Sequence, residues 1–144
     1  MKTAVFLYNP ESGKGKIARN VGCISTIFQA YGYDVTPQRI DFTANPFDGN
    51  ETIDLMVVAG GDGTVNEVAS GLVGTDTVMG ILPFGTGNDM VKVLGIPTEP
   101  REALNIILAD RPRAMDAGYV NDKFFVNVSG FGFDAVSYTH LRAH

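Results

Sequence analysis

Apolar residues along this chain fall into two rhythms. Continuous runs at Ala4 to Tyr8, Leu55 to Ala59 and Val78 to Leu82 predict strands buried on both faces. Spacings of three and four predict helices. One stripe is Ile17, Val21, Ile24, Phe28 and Tyr31, ended by Gly32; a second is Val65, Val68, Ala69 and Leu72. A third, Ala103, Leu104, Ile107 and Leu108, lies in a helix from Pro100 to Asp110 that Arg111-Pro112 stops. A short helical pattern through Val91 and Leu94 ends at Gly95-Ile96-Pro97. Val35 to Ile40 predicts a short strand, which Pro37 confines to an edge or an irregular position. Arg113 to Tyr119 and Lys123 to Ser129 predict a hairpin turning at Val120-Asn121-Asp122. Repeated strand–loop–helix units imply an α/β fold, a mostly parallel sheet with helices on both faces. Ligands of such folds bind beyond the carboxyl ends of the strands.

Three loops fall at those ends. Asn9-Pro10-Glu11-Ser12-Gly13 follows the first run, Gly60-Gly61-Asp62-Gly63-Thr64 the second, and Gly85-Thr86-Gly87-Asn88-Asp89 the third. Residues without side chains let backbone N–H groups approach an anion, and a helix N-terminus adds partial positive charge. Ser12, Gly13 and Thr86 offer hydroxyl and amide donors, and Lys14 or Lys16 can neutralise phosphate charge. Asp62 would repel a phosphate unless a divalent cation stood between them, so it suggests a metal–nucleotide complex. The plainer alternatives are a tight turn with Asp62 as helix cap, Asn88-Asp89 as caps, and solvated surface lysines.

Composition narrows the classes. The 144 residues suit one domain or a piece of something longer, and the net charge of −5 argues against general nucleic-acid binding. Cys23 is the only cysteine, which excludes an intrachain disulfide and fits a reducing, cytoplasmic setting; its place in a helical pattern reads as inert packing. No apolar run is long enough to span a membrane, and no signal-peptide core is present.

Two familiar phosphate motifs fare poorly. The Walker pattern fails because Tyr8 and Pro10 stand where its first glycine belongs. The dinucleotide pattern G-x-G-x-x-A matches at Gly13, Gly15 and Ala18, with Asp41 further on. It matches again at Gly130, Gly132 and Ala135, which marks it as an accident of glycine content.

The loops together resemble another pattern. Gly60-Gly61-Asp62-Gly63-Thr64, continued by Val65-Asn66-Glu67-Val68, is similar to the nucleotide signature of the diacylglycerol kinase catalytic-domain family, which includes bacterial lipid kinases and sphingosine kinases. NAD kinases share the pentapeptide and phosphofructokinases carry a near relative, so a phosphofructokinase-like or NAD kinase-like N-terminal domain is implied. Asn9-Pro10-Glu11-Ser12-Gly13 looks like the family's N-P-x-S-G loop, and Gly85-Thr86-Gly87-Asn88-Asp89 with Leu94-Gly95-Ile96-Pro97 like its G-T-x-N-D segment. The resemblance implies ATP and magnesium as cofactors. It implies nucleotide contacts from Asn9 to Gly13, from Gly60 through Val65, Asn66 and Glu67, and from Gly85, Thr86, Gly87 and Asn88. Thr43 is the nearest match to a family threonine brought to the nucleotide; a local turn bond is the favoured alternative. Asp62 and Asp89 would position magnesium, directly or through water. Asp116, in Met115-Asp116-Ala117-Gly118, matches an aspartate that orients the machinery; an edge-strand acid facing water is the alternative. Asp62, Asp89 and Asp116 are thus the candidate catalytic residues. Asp134 is placed like another family residue, and Phe131 and Phe133 suit either a lipid or a core.

The implied activity is ATP-dependent transfer of a γ-phosphate to a lipid hydroxyl such as that of diacylglycerol. The alternatives are an NAD kinase-type enzyme and a non-catalytic nucleotide or dinucleotide module. The resemblance covers residues 1–136 and only the N-terminal part of the family pattern. The β-rich second domain that carries the general base and most of the lipid pocket is expected elsewhere, leaving this span an inactive fragment. Residues 137–144, with His140 and His144, continue no family motif and read as foreign sequence. Implied partners are ATP and a lipid at a membrane surface, the inner face for a cytoplasmic protein, with a homodimer as a further option.

Overall fold

The computed structural model describes residues 2–41, 53–72, 75–84, 95–110, 112–120, 123–127 and 137–143. Strand β1 (Lys2–Tyr8) leads through a 3-10 turn (Ser12–Gly15) into helix α1 (Lys16–Ala30) and strand β2 (Tyr33–Arg39). Strand β3 (Leu55–Gly60), helix α2 (Asp62–Leu72) and strand β4 (Val78–Pro83) follow. Then come helix α3 (Pro100–Leu108), strands β5 (Arg113–Val120) and β6 (Lys123–Asn127), and strand β7 (Ser137–Ala143).

The strands form one sheet in the order β2-β1-β3-β4-β7-β5-β6. It is parallel from β2 through β4 and on to β7, and antiparallel on both sides of β5. The apolar runs are central strands, as their continuous hydrophobicity requires: every residue from Leu55 to Gly60 is buried. β2 carries Pro37 and is the sheet's outer strand, where a missing N–H disturbs only one ladder. The predicted hairpin is present, with Val120 paired to Lys123 and Asp116 to Asn127. Residues 137–143, expected from sequence to be a foreign tail, pair as a strand between β4 and β5.

Two glycines show which helix covers which face. A Cβ on Gly80 would meet Ile107 of α3, and Leu82, two residues on, shares a hollow with Ile24 of α1 and Leu104 of α3. A Cβ on Gly60 would instead meet Thr64 of α2. Gly60 pairs with Pro83, one residue beyond Leu82, and therefore faces the other way. So α1 and α3 pack on one face and α2 on the other. This is the layout that right-handed crossovers produce when β1→β2 and β3→β4 step in opposite directions.

The predicted helical stripes are mostly core. Ile17, Ile24 and Phe28 of α1, Val65, Val68, Ala69 and Leu72 of α2, and Ala103, Leu104 and Ile107 of α3 are buried, with Val21 and Leu108 packed at the margin. Two expectations for α1 need correction. Tyr31 is 62% exposed, because the helix ends at Ala30 and Tyr31 takes the C-cap with non-helical angles. Cys23 is exposed rather than packed, since it lies about 100° around the helix from buried Ile24. α3 is started by Glu99, whose carboxylate accepts from the N–H of Glu102 at 2.9 Å, and by Pro100 at its first position.

Candidate functional site

The strand order creates the site. β1 is followed by a connection to its neighbour on one side, β3 by a connection to its neighbour on the other, and β1 and β3 are adjacent. Consecutive connections that leave on opposite faces open a crevice at the carboxyl ends of the two strands, the usual ligand position in open α/β sheets. Tyr8 pairs with Ala59, and Gly60 with Pro83, so β1, β3 and β4 end at one rim. Backbone bonds carry the alignment past the strand ends. Asn9 N–H donates to the Ala59 carbonyl at 3.3 Å, Phe84 N–H to the Gly60 carbonyl at 3.3 Å, and Ile40 N–H to the Tyr8 carbonyl at 2.8 Å. The loops after four neighbouring strands therefore set out from the same edge.

On the β1 side, Asn9 Oδ1 accepts from Glu11 N–H at 3.1 Å, an Asx turn around Pro10 that brings the chain into the 3-10 turn. Lys14 (φ 57°) and Gly15 (φ 81°) are both left-handed, turning the chain into α1. The start of α1 is electrostatically inverted. Its N-cap Gly15 supplies no side-chain cap and its first turn holds no acid. Lys14, Lys16 and Arg19 gather there instead, with an Arg19 guanidinium nitrogen 3.6 Å from where a Gly15 Cβ would stand. Helix N-termini favour anions, so a start without a side-chain cap and surrounded by cations suits an added negative group.

On the β3 side, α2 begins at Asp62 directly after Gly60-Gly61, and Val65 N–H bonds the Gly61 carbonyl at 3.1 Å. A Cβ on Gly60 would lie 3.1 Å from Thr64 Cβ and 3.2 Å from its Oγ1. The close approach explains this glycine, and the strand and helix lie tight together because of it. Gly63 differs: a Cβ there would meet nothing within 4 Å, so its bareness serves the open side. Thr64 and Val65 are buried, Asn66 half-buried and Glu67 exposed; the Val65 side chain belongs to the core.

Thus Asn9 to Gly13 and Gly60 to Glu67 follow directly on the adjacent carboxyl ends of β1 and β3. Asp116 is in β5, paired with Asn127 and His140. Thr43, Gly85, Thr86, Gly87, Asn88 and Asp89 lie outside the described residues, as do Phe131, Phe133 and Asp134. Among the described residues no group of three or more metal-type side chains occurs. An oxygen donor of the Asp62 type is chemically suited to a hard dication such as magnesium. The dinucleotide pattern loses its physical basis, because its third position serves close helix–strand packing and Ala18 is exposed. Sequence reasoning missed a hollow of about 420 Å³ between α1 and α3, to which Phe84, Glu99 and Arg101 contribute. The Glu99-Pro100 pair marked the helix start, but no local signal placed it beside α1.

A doubly wound, mostly parallel sheet with glycine turns and an uncapped helix start at its switch point defines an open α/β domain. Its relatives are more specific. The chain is 33% identical to the diacylglycerol kinase of Bacillus subtilis over 140 residues, 92% of this chain and 46% of that protein. It is 44% identical over 84 residues to the "probable lipid kinase YegS-like" protein of Chromohalobacter salexigens, 56% of this chain and 27% of that one. A crystal structure of a diacylglycerol kinase from Bacillus anthracis superposes with a TM-score of 0.72 at 27% identity, covering 86% of this chain and 45% of that chain. The profile described as diacylglycerol kinase catalytic domain matches residues 3–120, and the chain belongs to that family. It spans less than half the length of these relatives. Among the described residues no helix is long and apolar enough to cross a membrane.

Proposed function

We propose that this chain holds ATP and magnesium in the β1–β3 crevice and forms the donor half of a lipid kinase that phosphorylates a hydroxyl such as that of diacylglycerol. The observation that carries this reading is the switch-point rim, where two glycine loops flank an uncapped helix start ringed by Lys14, Lys16 and Arg19. In this reading Asn9 to Gly13, Gly60 to Glu67, Thr43 and Gly85 to Asn88 contact the nucleotide. Asp62 and Asp89 position magnesium, which supplies charge neutralisation, and Asp116 orients the assembly. Phosphoryl transfer asks for little else from protein beyond in-line geometry and an aligned acceptor. The relatives' greater length supports placing the acceptor pocket and general base outside this span, so that the span binds nucleotide without turnover. The lipid would be met at a membrane surface. An NAD kinase-type activity is less favoured, because Gly85-Thr86-Gly87-Asn88-Asp89 fits the lipid-kinase pattern.

Titration calorimetry tests the donor half. ATP should bind only with magnesium, NADH should not compete, and Asp62→Asn should weaken binding by about tenfold or more, the size of a lost charge-assisted contact. Binding that ignores magnesium, or that NADH displaces, defeats the proposal. Transfer of labelled γ-phosphate to diacylglycerol by the full-length gene product tests the activity.

A further inference from the structure

The hollow between α1 and α3 lies on the α1/α3 side of the sheet and meets the rim of the β1–β3 crevice at Lys16 and the start of α1. Its volume of about 420 Å³ falls within the range of small-molecule pockets. Its walls are apolar: Ile24 and Ile27 from α1, Leu82 and Phe84 from the end of β4, and Leu104 from α3. Its charged groups are unevenly matched. The Glu99 carboxylate is engaged in capping α3 at 2.9 Å. Lys16 and Arg101, in the first turns of α1 and α3, are exposed and have no ion-pair partner among the described residues. The uncapped start of α1 stands beside Lys16. An apolar chamber with two spare cations and a helix N-terminus without a side-chain cap at its edge matches a ligand with an acyl chain and an anionic head.

We propose that this hollow is a binding site for a single-chain anionic amphiphile, its tail among Ile24, Ile27, Leu82, Phe84 and Leu104 and its head between Lys16 and Arg101. Asn20 completes the polar edge.

Cys23 provides the test, because it lines the hollow, is exposed, and is the only thiol of the chain. Its modification by a chromogenic disulfide reagent is followed with dodecyl phosphate present below its micelle concentration. Saturating dodecyl phosphate should slow the reaction by about tenfold, and Arg101→Gln, a change at an exposed position, should raise the concentration needed by about tenfold. Inorganic phosphate, dodecyl maltoside and dodecyltrimethylammonium should give no protection. Absence of protection by dodecyl phosphate overturns the proposal. So does equal protection by inorganic phosphate, which would mean an anion at the α1 start alone, or by dodecyl maltoside, which would mean unselective greasiness. Equal protection by magnesium ATP would assign the hollow to the nucleotide and also overturns it.

Discussion

Gly60 at the end of β3 and Thr64 in the first turn of α2 stand so close that a methyl group on Gly60 would come within 3.1 Å of Thr64 Cβ. The contact couples the sheet to the helix that starts beside the crevice. Gly60 does not have a positive φ, so the constraint is space rather than backbone freedom. Gly60→Ala must push Thr64 and the start of α2 outward. We expect a loss of about 1–3 kcal/mol in denaturant unfolding, typical of overpacking, and weaker ATP binding. Gly63→Ala has open space and serves as the control: its stability should change far less. Equal destabilisation by both changes would refute the packing account.

A second tight contact holds α3. A Cβ on Gly80 would lie 2.9 Å from both Cγ1 and Cδ1 of Ile107. Gly80→Ala should destabilise by about 1–3 kcal/mol, and Ile107→Ala should cost about 2–5 kcal/mol by leaving a cavity. The double variant should be less damaged than the sum, with a coupling of about 0.5–3 kcal/mol, because the added methyl occupies space that the lost side chain vacates. Strict additivity in urea titrations would show that the two residues do not share that space.

The opposite end of the sheet predicts alkaline sensitivity. Lys2 Nζ donates to Asp110 Oδ2 at 2.6 Å, and this bond, with the Asp110 charge, holds the Lys2 ammonium above its ordinary 10.5. Burial, and then the Asp110 charge, raise Tyr33 above its ordinary 10.0. Both groups bind protons more tightly folded than unfolded. Their contribution is present below the unfolded values and is lost as pH rises through the raised folded values. Stability should therefore decline from about pH 10 upward. Asp110→Asn, whose side chain tolerates the left-handed φ of 52° at this position, should flatten the decline. An unchanged slope in the variant would exclude the Lys2–Asp110 pair as its source.

The elements were largely legible before any coordinates. Leu55 to Ala59 needed no tertiary information to be read as a buried strand, because so short an apolar run closed by Gly60-Gly61 suits a central strand better than a helix. Pro37 likewise marked its strand as peripheral, since it cannot donate to a second neighbour. The errors fell where a residue's surroundings come from elsewhere in the chain. Tyr31 has the right spacing for the α1 stripe but sits beyond the helix end, and Cys23 lies in the helix yet off its buried face. Of the candidate site, the β1 and β3 loops were readable from their glycines. Phe84, Glu99 and Arg101 were not, because nothing local says that α3 returns alongside α1.

The amino-acid order alone determined which segments before residue 128 are strands, helices and glycine turns, since periodicity, proline and glycine act on the neighbouring backbone. By contrast, β7 (Ser137–Ala143) reads in sequence as a foreign tail and emerges only from its pairing with β4 and β5. Only the tertiary structure decided that β1 and β3 lie side by side with their connections leaving on opposite faces. It also decided that Gly80 receives Ile107 and that α1 and α3 enclose a hollow. Strand order and helix docking depend on contacts between residues far apart in the chain, and a local pattern carries no record of its distant partner.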